Sequence, residues 1–163
     1  MNNVNSDSKV IPAIRAMAER DLDAVTALEA QIFPDPWPRE AFVDQLKDSN
    51  WGALVAECDG QIIGYGCYLM VHNESHITNI GVEPAWRRKS VARRLLERIL
   101  DIVVENKCDI LLLEVRPSNM EARAFYAKYE FRELYRRPNY YRRPVEDALV
   151  MVRYLRPSEG EVS

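Results

Sequence analysis

Apolar residues recur along the chain in two rhythms, and each change of rhythm marks a new element. Residues 10–17 alternate as a first strand, after which Leu22, Val25, Leu28 and Ile32 return at helical spacing with Asp21 placed to cap that helix. The proline-rich break Phe33-Pro34-Asp35-Pro36-Trp37-Pro38 leads into a second short helix with Phe42 and Leu46 one turn apart, Pro38 suiting its first turn. Residues 53–58 and 61–71 read as strands joined at Asp59-Gly60, a dipeptide that favours a tight hairpin, and residues 75–82 continue as a third strand of this run. From Val91 the pattern changes to Leu95, Leu96, Ile99, Ile102 and Val103, an amphipathic helix ending near Asn106. Residues 110–115 form a short buried strand, and Ser118 with Glu121 three residues on has the capping-box pattern of a helix running to about Tyr129. Residues 131–137 and 147–155 close the chain as strands around an aromatic loop, Asn139-Tyr140-Tyr141.

Strand, two helices, three strands, helix, strand, helix and two strands make a mixed α+β sheet with helices on its faces. With 163 residues, the chain fits one domain over 10–155, flanked by polar tails at 1–9 and 156–163. Hydrophobic residues at 47% and charged residues at 29% are the mix of a folded globular protein. No apolar run approaches the ~20 residues that cross a bilayer, and the polar opening residues do not resemble a signal peptide. The expected location is therefore cytoplasmic, without a membrane partner. Cys58, Cys67 and Cys108 lack a metal-binding spacing and read as reduced core residues. His72 and His76 are four apart but lie in strand-like surroundings with no further ligand, so no metal site is expected. A net charge of −3 gives no global attraction for nucleic acid, and local basic clusters need a local explanation.

One such cluster has a notable position. Arg87, Arg88 and Lys89 stand between the strand ending at Val82 and the helix opening at Val91. Unpaired N–H groups and the positive end of a helix dipole favour an anion there, and three cations add to that field. A phosphate or diphosphate suits the place; a solvated basic turn has the same composition. In the strand at 110–115, alternation puts Glu114 on one face with Ile110 and Leu112. Among aliphatic side chains its carboxyl is expected to titrate high through desolvation, which suits a general base near neutral pH. A strand-end glutamate emerging into solvent is the plainer alternative, as core packing is for Tyr126.

The segment Arg87-Arg88-Lys89-Ser90-Val91-Ala92 resembles the coenzyme A loop of the GNAT acetyltransferases, Q/R-x-x-G-x-G/A, except at Ser90. If the backbone is left-handed there, a residue other than glycine costs about 1–2 kcal/mol; if it is right-handed, serine costs little and its hydroxyl can donate to a phosphate. Leu113-Glu114-Val115-Arg116-Pro117-Ser118-Asn119 followed by Ala124-Phe125-Tyr126 resembles the signature of the ribosomal-protein-alanine N-acetyltransferases of the RimI type. Further matches are Asp35-Pro36-Trp37, Thr78-Asn79-Ile80-Gly81-Val82, Asn139-Tyr140-Tyr141 and Glu146-Asp147-Ala148, and Tyr129-Glu130-Phe131 departs where a glycine is usual.

The resemblance implies the GNAT fold, a mostly antiparallel mixed sheet of about seven strands with four helices. It implies acetyl-CoA as co-substrate and a protein or peptide N-terminus as acceptor, pointing to the N-terminal alanine of a small-subunit ribosomal protein. It further implies Glu114 as general base and Tyr126 as the acid for the departing thiolate. Backbone groups of Ile80, Gly81 and Val82 are expected to hold the pantetheine arm and polarise the thioester. Residues from Arg87 through Arg88, Lys89, Ser90, Val91 and Ala92 to Arg93 are expected to bind the pyrophosphate, with Asn119 also touching the cofactor. Trp37, Tyr140 and Tyr141 are candidate walls of a peptide slot, although aromatic packing at a sheet edge explains them equally well. Attack by the amine in a ternary complex needs no covalent enzyme intermediate, so the lack of a cysteine–histidine pair is no obstacle. The chain is expected to act as a monomer or weak dimer. Two other readings remain: transfer to a small amine such as a polyamine or aminoglycoside, and a non-catalytic acyl-CoA or ribosome-binding module, suggested by Ser90 and by Arg136-Arg137 with Arg142-Arg143.

Overall fold

Residues 10–156 are described by a computed structural model, in which one sheet runs in the order β1-β2-β3-β4-β5-β7-β6. Its strands are β1 (Ala13–Ala16), β2 (Trp51–Cys58), β3 (Gln61–Val71), β4 (Glu74–Val82), β5 (Ile110–Val115), β6 (Arg132–Arg142) and β7 (Val145–Tyr154). Four α-helices accompany them among the described residues: α1 (Leu22–Ile32), α2 (Arg39–Lys47), α3 (Val91–Glu105) and α4 (Met120–Lys128). Only β4 and β5 pair in parallel; every other neighbouring pair is antiparallel.

The two faces of the sheet have separate cores. On one, the apolar stripe of α3 lays Val91, Leu95, Leu96, Ile99 and Val103 against Ile77, Leu111 and Leu113, all nearly inaccessible to solvent. On the other, α1 and α2 bury Leu22, Val25, Leu28 and Phe42 against Val55, Tyr65 and Cys67. Cys58, Cys67 and Cys108 are free and buried.

An irregularity in β4 positions everything that follows. Cys67 pairs with Asn79 while Tyr68 pairs with Ile77, so Thr78 is an extra residue, a β-bulge. Below the bulge Ile77 belongs to the α3 core; above it Asn79 is turned to the α1 side, where it bonds Glu29. The parallel pairing with β5 stops at Ile77 and Leu113, so β4 runs on to Val82 beside an open wedge.

Several local expectations are corrected. The first strand is shorter than residues 10–17. Asp21 precedes α1 but makes no side-chain cap; its carboxylate turns back to the Arg15 guanidinium (2.7 and 2.8 Å) and the Ala18 N–H (2.8 Å). A buried carboxylate gains more from a fork of charged donors than from one amide. Pro38 is the residue before α2, not in its first turn. Asn119 rather than Ser118 caps α4, accepting from the Ala122 N–H at 3.1 Å, because Ser118 is engaged by Glu146 through both its N–H (2.7 Å) and its hydroxyl (2.8 Å). The aromatic run Asn139-Tyr140-Tyr141 is not a loop but part of β6, opposite β7 across a register shift between Arg137 and Tyr141. Arg156, expected to begin a loose tail, bonds Lys107 C=O (2.8 Å) and Asp109 (2.9 Å); for the rest, the tails expected at 1–9 and 157–163 lie outside the described residues.

The Arg15 hydrogen bonds hold the Asp21 carboxyl below its usual range despite its burial. A depressed carboxyl stabilises the fold above its unfolded value near 4 and loses that contribution as pH falls through the folded value. Asp21→Asn is therefore expected to cost about 2 kcal/mol in urea unfolding at neutral pH, the usual worth of hydrogen bonds to a charged group. The deficit should shrink as the pH is taken into the acid range; an equal deficit in acid would show that shape rather than charge matters there.

Candidate active site

The connection from β4 to α3 passes through a short 3-10 turn, Pro84–Trp86, and then four residues with two left-handed backbones: Arg88 at φ 60° and Ser90 at φ 65°. Ser90 is thus the left-handed case of the two that its sequence leaves open, with ψ 16° and no side-chain cap to the helix. The first bond of the α3 ladder runs from Arg94 N–H to Ser90 C=O (3.1 Å), which leaves the N–H groups of Val91, Ala92 and Arg93 without helical partners. Arg87, Arg88, Lys89 and Arg93 are exposed around this turn, Lys89 reaching over the Trp86 ring at 5.2 Å. Amide hydrogens and cations thus meet at one helix end, and the donors suit a diphosphate.

The wedge opens beside this helix end. Glu83 N–H bonds Ile63 C=O at 2.8 Å, and antiparallel alternation then turns the peptide groups of Gly81 toward β3 and those of Ile80 and Val82 toward the wedge. Gly81 contributes its missing side chain: a Cβ there would lie 2.6 Å from the Tyr65 hydroxyl oxygen.

Glu114 shares a face with Ile110 and Leu112, as alternation predicts, but this is the less covered face; Leu111, Leu113 and Val115 are the buried residues of β5. Leu112 and the buried Val150 flank it on that face, and two basic side chains join them. His76 Nε2 lies 2.6 Å from Glu114 Oε2 and Arg137 3.9 Å from Oε1, with the glutamate side chain 11% exposed. His76 pairs with a carboxylate on the adjacent strand, a partnership that its four-residue spacing from His72 does not reveal. Register places it there: His76 is opposite Leu112, one step before Glu114 on the same side of the sheet.

Tyr126 sits on α4 and packs against the opposite, α3-side core, its ring 5.2 Å from Phe125 and 5.5 Å from Phe131. Desolvation pushes its hydroxyl up to about 12, so it is a protonated donor at neutral pH. No hydrogen bond joins Glu114 to Tyr126, which lie on opposite faces of the sheet.

Tyr140 and Tyr141 stack edge to face at 5.0 Å, with Arg137 by the first ring and Arg116 4.2 Å from the second. Arg116 also bonds Glu146 (3.4 Å) and the carbonyls of Arg143 and Pro144, so the Arg116-to-Asn119 and Glu146-to-Ala148 matches in the sequence are one physical brace. Trp37 is on the α1–α2 side, packed on Phe42 (5.8 Å) and Trp51 (6.5 Å), without contact to the tyrosine pair. Asn119 spends its side-chain oxygen on the α4 cap, which leaves only its NH₂ for a ligand. Two surface concavities of about 580 and 380 Å³ border β1 and are lined by none of the candidate site residues. Among the described residues no set of three or more His, Cys, Asp and Glu side chains gathers to hold a metal.

Residues 22–131 match the acetyltransferase (GNAT) family. A Bacillus subtilis protein provisionally named a ribosomal protein bS18-alanine N-acetyltransferase is 35% identical over 144 residues, 88% of this chain and 95% of its own. The N-alpha-acetyltransferase RimI of Mycobacterium tuberculosis is 33% identical over 146 residues, 86% of this chain and 90% of its own. The crystal structure of the ribosomal-protein-S18-alanine N-acetyltransferase from Escherichia coli superposes with a TM-score of 0.84 at 26% identity, covering 94% of this chain and 99% of that one.

A left-handed serine is strained by about 1–2 kcal/mol, partly offset in a glycine variant by the greater freedom of its unfolded chain. Ser90→Gly is expected to leave the melting temperature unchanged or slightly raised and to bind acetyl-CoA at least as tightly by calorimetry. Clearly weaker binding would identify the Ser90 hydroxyl as a ligand.

Proposed function

The chain belongs to the GNAT family and is an acetyl-CoA-dependent N-acetyltransferase, and from that premise we propose that it acetylates the N-terminal amine of a protein, the alanine of a small-subunit ribosomal protein being the leading candidate. The observation that carries this reading is the Glu114–His76 pair: a nearly covered carboxylate with a basic partner at 2.6 Å, beside the wedge and next to the Tyr140–Tyr141 hairpin. The functions named for relatives at 33–35% identity support the peptide acceptor.

Bound acetyl-CoA supplies the activated thioester. The free N–H groups and cations at the start of α3 fit its diphosphate, and the Ile80 and Val82 peptide groups fit its extended arm. Glu114 takes the proton of the incoming ammonium, directly or through water, with His76 fixing the carboxylate and passing charge toward solvent. Arg137 steadies the negative form. A wedge-facing N–H aimed at developing negative charge contributes several kcal/mol by oxyanion-hole magnitudes. Tyr126, kept protonated at neutral pH by its desolvation, donates to the sulfur and is the acid for the departing thiolate.

Thiol release from acetyl-CoA is the test, with peptides beginning Ala, Ser, Thr or Met and with polyamines alongside. Turnover of the peptides is expected; turnover of polyamines alone overturns the acceptor, and cofactor binding without any turnover points to a binding module. Glu114→Gln is expected to lower kcat by about 10²–10⁴, the range for a lost general base, without changing acetyl-CoA affinity. An unchanged kcat would remove Glu114 from that role.

A further inference from the structure

Beneath the β4 bulge lies a buried carboxylate that the chemistry above does not use. Glu29, at the start of the last turn of α1, is 1% exposed, and every partner its carboxylate has is a donor. Trp37 N–H (3.2 Å) and Asn79 NH₂ (3.0 Å) bond Oε1, while the Tyr65 hydroxyl and, at 3.3 Å, Asn79 again bond Oε2. These donors come from three places: the loop between α1 and α2, β3, and β4 immediately above the bulge. Burial drives the carboxyl upward and the donors oppose it. A buried charge is retained only where hydrogen bonds hold it, so removing one arm leaves the others facing an unsatisfied group.

The links continue outward from each arm. Asn79 precedes Ile80, whose peptide groups face the wedge; the Tyr65 ring lies against Gly81 and edge-on to Phe42 at 6.0 Å; and Phe42 packs on Trp37. We propose that Glu29 is a positioning residue that ties the Trp37 loop, on the acceptor side, to the cofactor-holding stretch of β4, so that filling one steadies the other. The acceptor-side part of this inference rests on the function proposed above; the link itself does not. Coupling of this kind is a free energy shared between two sites and is reciprocal.

Amide hydrogen exchange by NMR, read at the Trp37 N–H with and without acetyl-CoA, tests the link without needing an acceptor. In the parent, acetyl-CoA is expected to slow exchange at Ile80 and Val82 and also, by about five-fold or more, at Trp37. In Glu29→Gln, whose side-chain NH₂ meets other donors, and in Asn79→Ala, which cuts only the β4 arm and serves if the first variant folds poorly, the cofactor still protects β4 but no longer Trp37. A merely structural role would lower protection equally with and without cofactor. Cofactor-dependent protection of Trp37 that persists in folded variants, or is missing from the parent, overturns the proposal. If the parent shows the link yet fails to acetylate peptides, the acceptor reading falls and the link stands.

Discussion

A sheet can admit an extended ligand between its own strands only where two neighbours stop pairing, and here one extra residue causes that. Thr78 breaks the β3–β4 register, and β4 leaves β5 after Ile77. The peptide groups of Ile80 and Val82, which would otherwise complete a ladder, are left for another partner. Leaving such groups unpaired is costly, so a structure that keeps them so is arranged around what will bind them. The helix that opens just beyond, at Val91, brings its own unpaired N–H groups to the same end. The same chain turn joins the two sets of donors, which the proposed function takes as one cofactor site.

The parting of the strands is also what the proposed reaction needs if residues on opposite faces are to serve it. Glu114 and His76 are on the side of α1 and α2, whereas Tyr126 belongs to the α3 side. In an unbroken sheet they would be insulated from each other by the backbone. In the proposed reaction the wedge is the passage between those faces, with Glu114 as base on one side and Tyr126 as phenolic donor on the other. The β6–β7 hairpin borders Glu114 on its side of the sheet, and the Arg116–Glu146–Ser118 brace anchors it to the connection leaving β5.

Features set by nearby residues were legible in the sequence. The α3 stripe, the Asp59-Gly60 hairpin and the alternation that put Glu114 with Ile110 and Leu112 all follow from local periodicity, and the family resemblance rested on contiguous runs. Those set by distant partners were not. Asp21 reads as a cap until Arg15 is brought beside it, Ser118 reads as a cap until Glu146 claims it, and Tyr140 reads as loop until β7 pairs with its neighbours. His76 and Glu114 are separated by 38 positions and meet only because β4 and β5 run parallel. The bulge had no signature of its own, since Thr78 is an ordinary strand residue. Ser90 was an ambiguity that backbone geometry alone could resolve, and it resolved to the strained conformation.

A crystal structure with acetyl-CoA bound tests the central claim most directly. Expected are the diphosphate on the amides that open α3, the arm along Ile80 and Val82, and the acetyl carbon within reach of a nucleophile bound beside Glu114, with Tyr126 directed at the sulfur. A cofactor seated elsewhere, or Glu114 and Tyr126 facing compartments that the acetyl group does not connect, would contradict it.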